Sequence, residues 1–228
     1  MITLSARLQA AASLVHGGGR LVDVGTDHAY LPLYLIETGK IKNAIASDIG
    51  EGPLANARKT LISSNAEDKI TLRLSDGLKS FSPEETDEIV ICGMGGNLID
   101  EILSAAPWIC RPGMHLVLQP MTHSEDVRRC LCLHGFEIQH EFCIEDKGRV
   151  YLVMDAVWKD VPGHKEDGYY YFGSLIGQIG PAEKYIRGQL EWVKTRLCAL
   201  REAQRYPEEQ ALLSRVLDYY YGETNESI

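Results

Sequence analysis

Between Arg20 and Pro32 an apolar run, Leu21-Val22-Asp23-Val24, passes into the turn Gly25-Thr26-Asp27-His28-Ala29 and then into a helix-like segment from Tyr30. Strand, glycine-bearing turn and helix in that order open the ligand site of a doubly wound α/β sheet, whose ligands sit beyond the carboxyl ends of the strands. One departure narrows the ligand. A dinucleotide fingerprint, G-x-G-x-x-G, leaves bare backbone N–H groups for a pyrophosphate. In this chain Asp27 stands where the second glycine would be. A carboxylate there repels a pyrophosphate and suits an ammonium or sulfonium group. S-adenosylmethionine carries both, together with an adenosine.

The alternation continues along the chain. Apolar residues at helical spacing run from Leu4 to Val15 and stop at Gly17-Gly18-Gly19. Strands are predicted at 21–24, 43–47, 69–74, 88–92 and 114–118, and helices at 30–37, 53–63, 98–105 and 124–133. Segments 136–144 and 149–157 flank Glu145-Asp146-Lys147-Gly148, turn chemistry that predicts a hairpin. Repeated strand–helix units imply a mostly parallel, Rossmann-like sheet, to which the hairpin adds an antiparallel strand at one side. That is the topology of class I S-adenosylmethionine-dependent methyltransferases.

Pro162 to Gly168 reads as a linker, dividing the chain into a catalytic domain, 1–158, and a C-terminal helical domain, 159–228. Beyond it, Ile186, Leu190, Val193, Leu197 and Leu200 form a heptad seam. Pro207 suits the first position of a second helix with Leu212, Leu213, Val216, Leu217 and Tyr220 on its apolar face. The two are expected to fold back as an α-helical coiled-coil hairpin. Arg187, Lys194 and Arg201 recur on one stripe of the first, as a solvated flank or as a phosphate-contacting ridge. Tyr169-Tyr170-Tyr171-Phe172 either stack on a base or pack linker against domain.

Composition sets limits. The 228 residues are 45% apolar, as in a globular protein, yet no run approaches the roughly 20 apolar residues of a membrane helix. No secretory leader is recognisable, and the six cysteines contain no C-x-x-C pair. A reducing cytoplasm is expected, without a disulfide framework or structural zinc. His16, His115, His123, His134, His140 and His164 show no metal-ligand spacing, so no metal is expected. The net charge of −9 opposes phosphate contact, so any nucleic-acid role must rest on a local patch.

Chemistry-bearing residues gather at the predicted strand ends. Asp23 ends the first strand, and Gly25 allows close backbone approach. Asp48 ends the second, about where a ribose diol is bound, with Ile49 placed to pack on an adenine. Asp76-Gly77 follows the third, near an adenine amino group, with Leu78 as an apolar neighbour. Gly93-Met94-Gly95-Gly96 follows the fourth, facing an acceptor. Asn97 and Asp100 are either polar contacts to that acceptor or simply the start of a helix, and Gln119 is another candidate lining. His28 is either a structural hydrogen-bonder or a group that orients a base.

Taken together, the segments T-D-H-A-Y-L-P (26–32), S-D-I (47–49), S-D-G-L (75–78), I-C-G-M-G-G (91–96) and L-Q-P (118–120) resemble the bacterial tRNA adenine-22 N1-methyltransferase family. The resemblance covers about residues 1–158, and the helical hairpin fits it too. It implies an S-adenosylmethionine-dependent Rossmann-like domain, a C-terminal coiled-coil domain, and methylation of N1 of an adenosine in the tRNA D-arm. Carried over by position, Gly25, Asp27, Asp48, Asp76 and Gly77, with Asp23, Ile49 and Gly93, are expected at the cofactor. Asp27, His28 and Met94 are expected at the reacting atoms, and Gly95, Gly96, Asn97, Gln119, Arg187, Lys194 and Arg201 toward the tRNA. A small-molecule methyltransferase and a non-catalytic S-adenosylmethionine-binding scaffold are the alternatives. A monomer or weak homodimer is expected.

Overall fold

The structure is a computed structural model and describes residues 2–224. Seven strands form one sheet: β1 (Leu21–Val24), β2 (Ala44–Asp48), β3 (Ile70–Leu74), β4 (Glu88–Met94), β5 (His115–Pro120), β6 (Phe136–Asp146) and β7 (Arg149–Trp158). Their order is β3-β2-β1-β4-β5-β7-β6, with β1 to β5 parallel and β7 antiparallel to both neighbours. The order reverses direction beside β1, which leaves a crevice at the carboxyl ends of β1 and β4.

Successive side chains on a strand point to opposite faces, and the cores follow that rule. Val22, Ile89, Ile91, Leu116, Leu118 and Met154 share one apolar cluster. Leu21, Val90, Val117 and Val153, one position out of phase, belong to another. The first face is covered by α4 (Gly96–Ser104), α5 (Ser124–Leu133), α6 (Asp167–Phe172), α7 (Pro181–Glu202) and α8 (Pro207–Thr224). The second is covered by α1 (Ala6–Leu14) and α2 (Tyr30–Glu37), and α3 (Glu51–Ser64) packs beside α2 around Ala46, Ala57 and Leu61. Local signals start and stop the helices. The Ser5 hydroxyl accepts from the Leu8 N–H at 3.4 Å to cap α1, and Asn65 ends α3 in the left-handed conformation.

The helices after the sheet belong to its core. Ile186, Val193, Leu197 and Leu200 of α7 and Leu213 and Val216 of α8 are buried in the same cluster as Leu116 and Met154. Each such side chain contributes about 1.5–3 kcal/mol by leaving water. A short turn before Pro207 sets α7 and α8 antiparallel, and Arg196 and Glu209 bridge them at 2.8 Å. The expected linker is shorter than its composition suggests, because α6 already begins at Asp167. Arg215 of α8 donates to Asp167 at 2.7 Å, and Tyr170, Tyr171 and Phe172 are buried. Three of the four aromatic side chains therefore pack α6 against its neighbours, the packing alternative of the two expected, and Tyr169 is half-buried. Gly168 lies so close to α8 that a Cβ would fall 2.2 Å from the Tyr219 ring.

A buried ion pair fastens this assembly. Arg128 of α5 donates to Glu141 of β6 at 2.9 Å and to the Tyr170 carbonyl at 2.7 Å, while Glu141 accepts the Ser174 N–H. Both charged side chains are almost wholly enclosed. Among the described residues no helix is long and apolar enough to cross a membrane.

Candidate active site

The tip of β1 makes the floor of the crevice. The backbone N–H groups of Gly25 and Thr26 both donate to the Ser47 carbonyl of β2, at 2.8 and 2.9 Å. Gly25 has φ +75°, and a Cβ there would sit 2.1 Å from the Met94 methyl. Only glycine permits that turn and that neighbour together. Asp27 and Ala29 also have positive φ, 52° and 56°, so the turn coils tightly before α2.

Asp23 is buried at 5% exposure and accepts from the Thr26 hydroxyl at 2.6 Å. Burial pushes its carboxyl up to about 6, the Thr26 hydrogen bond pulls it down, and the Asp48 charge adds to the rise. Asp48 accepts from the Gly50 N–H at 2.9 Å and from the Asp27 N–H at 3.4 Å, which brings Asp27 and Asp48 together. The Asp27 carboxylate is itself two-thirds exposed, 3.6 Å from His28 Nε2, and the His28 ring stacks on Tyr30 at 4.9 Å.

A cavity of 330 Å³ opens here, lined by Asp23, Gly25, Asp27, His28 and Gly93 and, from outside the motifs, Arg7. Arg7 enters from α1. Its Nη1 donates to Gln119 Oε1 at 2.6 Å, and the same oxygen accepts the Gly93 N–H at 3.1 Å. Gln119 is fully buried, and its Nε2 donates to the Pro120 carbonyl. It thus holds Arg7 and the glycine loop in place, without a free face toward an acceptor. Motif reading missed Arg7. The available signal was the single charge of a helix just upstream of the first strand.

The other expected residues divide. The Met94 methyl packs over Gly25, and Gly95 precedes α4 beside Thr122. Gly96 serves packing, since a Cβ there would lie 2.0 Å from the His123 carbonyl oxygen. Asn97 donates to Asp126 of α5 at 2.9 Å. Ile49 is 70% exposed beyond β2, free to cover a flat ligand. Asp76 pairs with Lys79 and borders a separate 260 Å³ cavity with Leu98 and Ile102. Gly77 packs on Ile102, and Leu78 is buried in the core while also lining the cavity beside Asp76. Arg187, Lys194 and Arg201 are exposed on α7, Lys194 lying over Tyr221 and Arg201 donating to Ser214.

The cavity therefore offers carboxylates, a guanidinium and glycine-bared backbone, a donor set matched to a zwitterionic, cationic amino acid joined to a nucleoside. A family profile described as "Methyltransferase domain" matches residues 4–154. The tRNA (adenine(22)-N(1))-methyltransferase of Bacillus subtilis is 34% identical over 193 residues, which cover 85% of this chain and 81% of that protein. This chain belongs to the tRNA (adenine-22-N1)-methyltransferase family. The crystal structure of the B. subtilis M1A22 tRNA methyltransferase TrmK superposes with a TM-score of 0.84 at 28% identity, covering 96% of this chain and 97% of that one. A Streptococcus pneumoniae protein in complex with S-adenosyl-L-methionine superposes with a TM-score of 0.76 at 32% identity, covering 94% and 97%. Family membership makes S-adenosylmethionine the cofactor of this chain.

Proposed function

We propose that this chain transfers a methyl group from S-adenosylmethionine to N1 of adenosine 22 in the D-arm of tRNA. The observation that carries the reading is the cavity at the β1 tip, where Asp27 replaces the phosphate-binding glycine and Arg7 faces Asp23 and Gly93. When bound, the cofactor supplies an electrophilic methyl on a cationic sulfur. Arg7 would hold its carboxylate, Asp23 and Asp27 its ammonium, and Asp48 its ribose diol.

The acceptor side follows from the β4 loop. Met94 closes over Gly25, and Gly93 and Gly95 bring bare backbone to the mouth of the crevice. N1 of a neutral adenine has a free lone pair and needs alignment more than deprotonation, and such positioning is worth roughly 7–11 kcal/mol. The methylated base is cationic, and the Asp27 carboxylate stabilises it from nearby. N1 lies on the Watson–Crick edge, so the base must be unpaired or flipped, which costs a few kcal/mol. The exposed cations of α7 supply the local patch that a chain of net charge −9 needs to meet phosphate.

Incubation of the protein with labelled S-adenosylmethionine and unmodified tRNA transcripts, followed by mapping, tests the reading. One methyl at N1 of adenosine 22 is expected. Methylation of a small metabolite and not of RNA, or cofactor binding without any transfer, would replace it with one of the two rival functions.

A further inference from the structure

At the opposite end of the sheet, where β4 and β5 begin, the chain gathers three histidines and two carboxylates. Glu88 and His115 are in-register neighbours on adjacent strands, and Asp155 of β7 lies on the same face. His115 Nδ1 is 2.7 Å from Glu88 Oε1, and His115 Nε2 is 3.0 Å from Asp155 Oδ2. His16, just beyond α1, stacks on His115 with ring centroids 3.6 Å apart. Its backbone N–H is fixed on Glu88 at 2.7 Å. His140 donates its backbone N–H to Asp155 Oδ1 at 2.9 Å, with its Nδ1 at 3.0 Å from the same oxygen. The group is far apart in sequence, so no spacing motif announces it.

We infer that His16, Glu88 and His115 form a binding site for a divalent transition-metal ion, of the class of Zn²⁺, Co²⁺ or Ni²⁺. One ligand atom from each lies within 4.8 Å of the others. Two imidazoles and a carboxylate suit these ions and not the oxygen-seeking Mg²⁺ or Ca²⁺. The surroundings are built as such sites are. A ligating histidine donates its second ring N–H to a carboxylate that fixes its tautomer and orientation. Asp155 does this for His115, which leaves Nδ1 directed at Glu88, and His140 in turn steadies Asp155.

The site also has access. Glu88, His115 and Asp155 are almost fully buried, while the His16 side chain is 58% exposed, and its ring leaves the stack on His115 to turn a nitrogen toward the ion. A tetrahedral ion about 2.0–2.2 Å from each donor requires His115 Nδ1 and Glu88 Oε1 to part to roughly 3.3 Å. The proton between them leaves to solvent as the ion enters. A fourth position, on the His16 side, stays open to water. Such a site lies outside the methyl-transfer crevice and takes no part in the transfer.

The test is titration of chelator-stripped, untagged full-length protein with Zn²⁺ against a chromophoric competitor, and with Co²⁺ followed by its visible d–d absorption. One ion per chain is expected. His16→Ala removes an exposed ligand and should lower Zn²⁺ affinity at least about tenfold, with the metal-free melting temperature unchanged. Asp155→Asn should lower it about 10–100-fold through the second ring nitrogen of His115. His123→Ala, in the exposed group His123, Glu125 and Asp126, should change nothing. Equal Zn²⁺ affinity in the wild type and His16→Ala would overturn the assignment. So would the absence of stoichiometric binding, or loss of binding in His123→Ala alone.

Discussion

Asp23 is the residue at which fold and chemistry compete. Its carboxyl is raised to about 6 from 3.8 by burial. A raised carboxyl stabilises the fold below its unfolded value and loses that contribution as pH climbs through about 6. Without cofactor, Asp23→Asn should therefore be more stable than the wild type at pH 8, by a margin on the order of 2 kcal/mol, and should lose the advantage near pH 4. Melting curves at the two pH values check this. An ammonium beside the carboxylate reverses the sense. Wild-type S-adenosylmethionine affinity, measured by calorimetry, should fall as pH drops through about 6, and that fall should be missing in Asp23→Asn.

The neighbouring glycine carries a steric demand. Gly25→Ala meets both a positive φ and the Met94 methyl. It should weaken cofactor binding strongly. Adding Met94→Ala should recover the part due to collision and leave the backbone part, about 1–2 kcal/mol. Binding measured across the double-mutant cycle separates the two.

At the scale of elements, the helices beyond the sheet depend on the Arg128–Glu141 pair. Glu141→Gln leaves a buried guanidinium without its counter-charge, and loss of one partner of such a pair costs about 3–5 kcal/mol. Urea denaturation should report a loss of that size. Gly168→Ala should also destabilise the protein, because its methyl group has no room beside the Tyr219 ring. Local patterning reached these elements unevenly. Helices α2 and α5 and strands β1 to β3 were legible because apolar period and breaker residues coincide, as at Gly39 after α2 and Gly135 after α5. Helix α6 straddles the end of the stretch read as linker and the aromatic run Tyr169-Tyr170-Tyr171-Phe172, and so short a segment shows no helical period of its own; its burial comes from α5, α7 and α8. The β1 turn announced itself through Gly25 and Asp27. Arg7 and the His16–His115 stack did not, and Gln119 was legible as a polar residue but not as the partner of Arg7 and Gly93, because contacts across α1, β4 and β5 depend on strand order, which no local window contains.

Across the whole molecule, charge and geometry must be reconciled. The protein is acidic, and its proposed RNA contact rests on three exposed cations of α7. Reversing Arg187, Lys194 and Arg201 to Glu should raise the KM for tRNA and flatten the dependence of RNA affinity on salt, because fewer counterions are released. S-adenosylmethionine affinity should not change. A salt-titrated RNA-binding assay beside cofactor calorimetry checks both statements.

The apolar cluster that runs unbroken from Leu116 and Met154 into Val193, Leu213 and Val216 has a consequence for target choice. An arm on a flexible tether would sample many placements of a bound nucleic acid, and selection among nearby adenosines would then have to come from reading the bases. Here the proposed basic edge and the proposed catalytic mouth share one apolar core, so the span between them would be constant. A folded tRNA gripped at that edge would present whichever nucleotide falls at that span, and the enzyme would choose its adenosine as a caliper does, by distance.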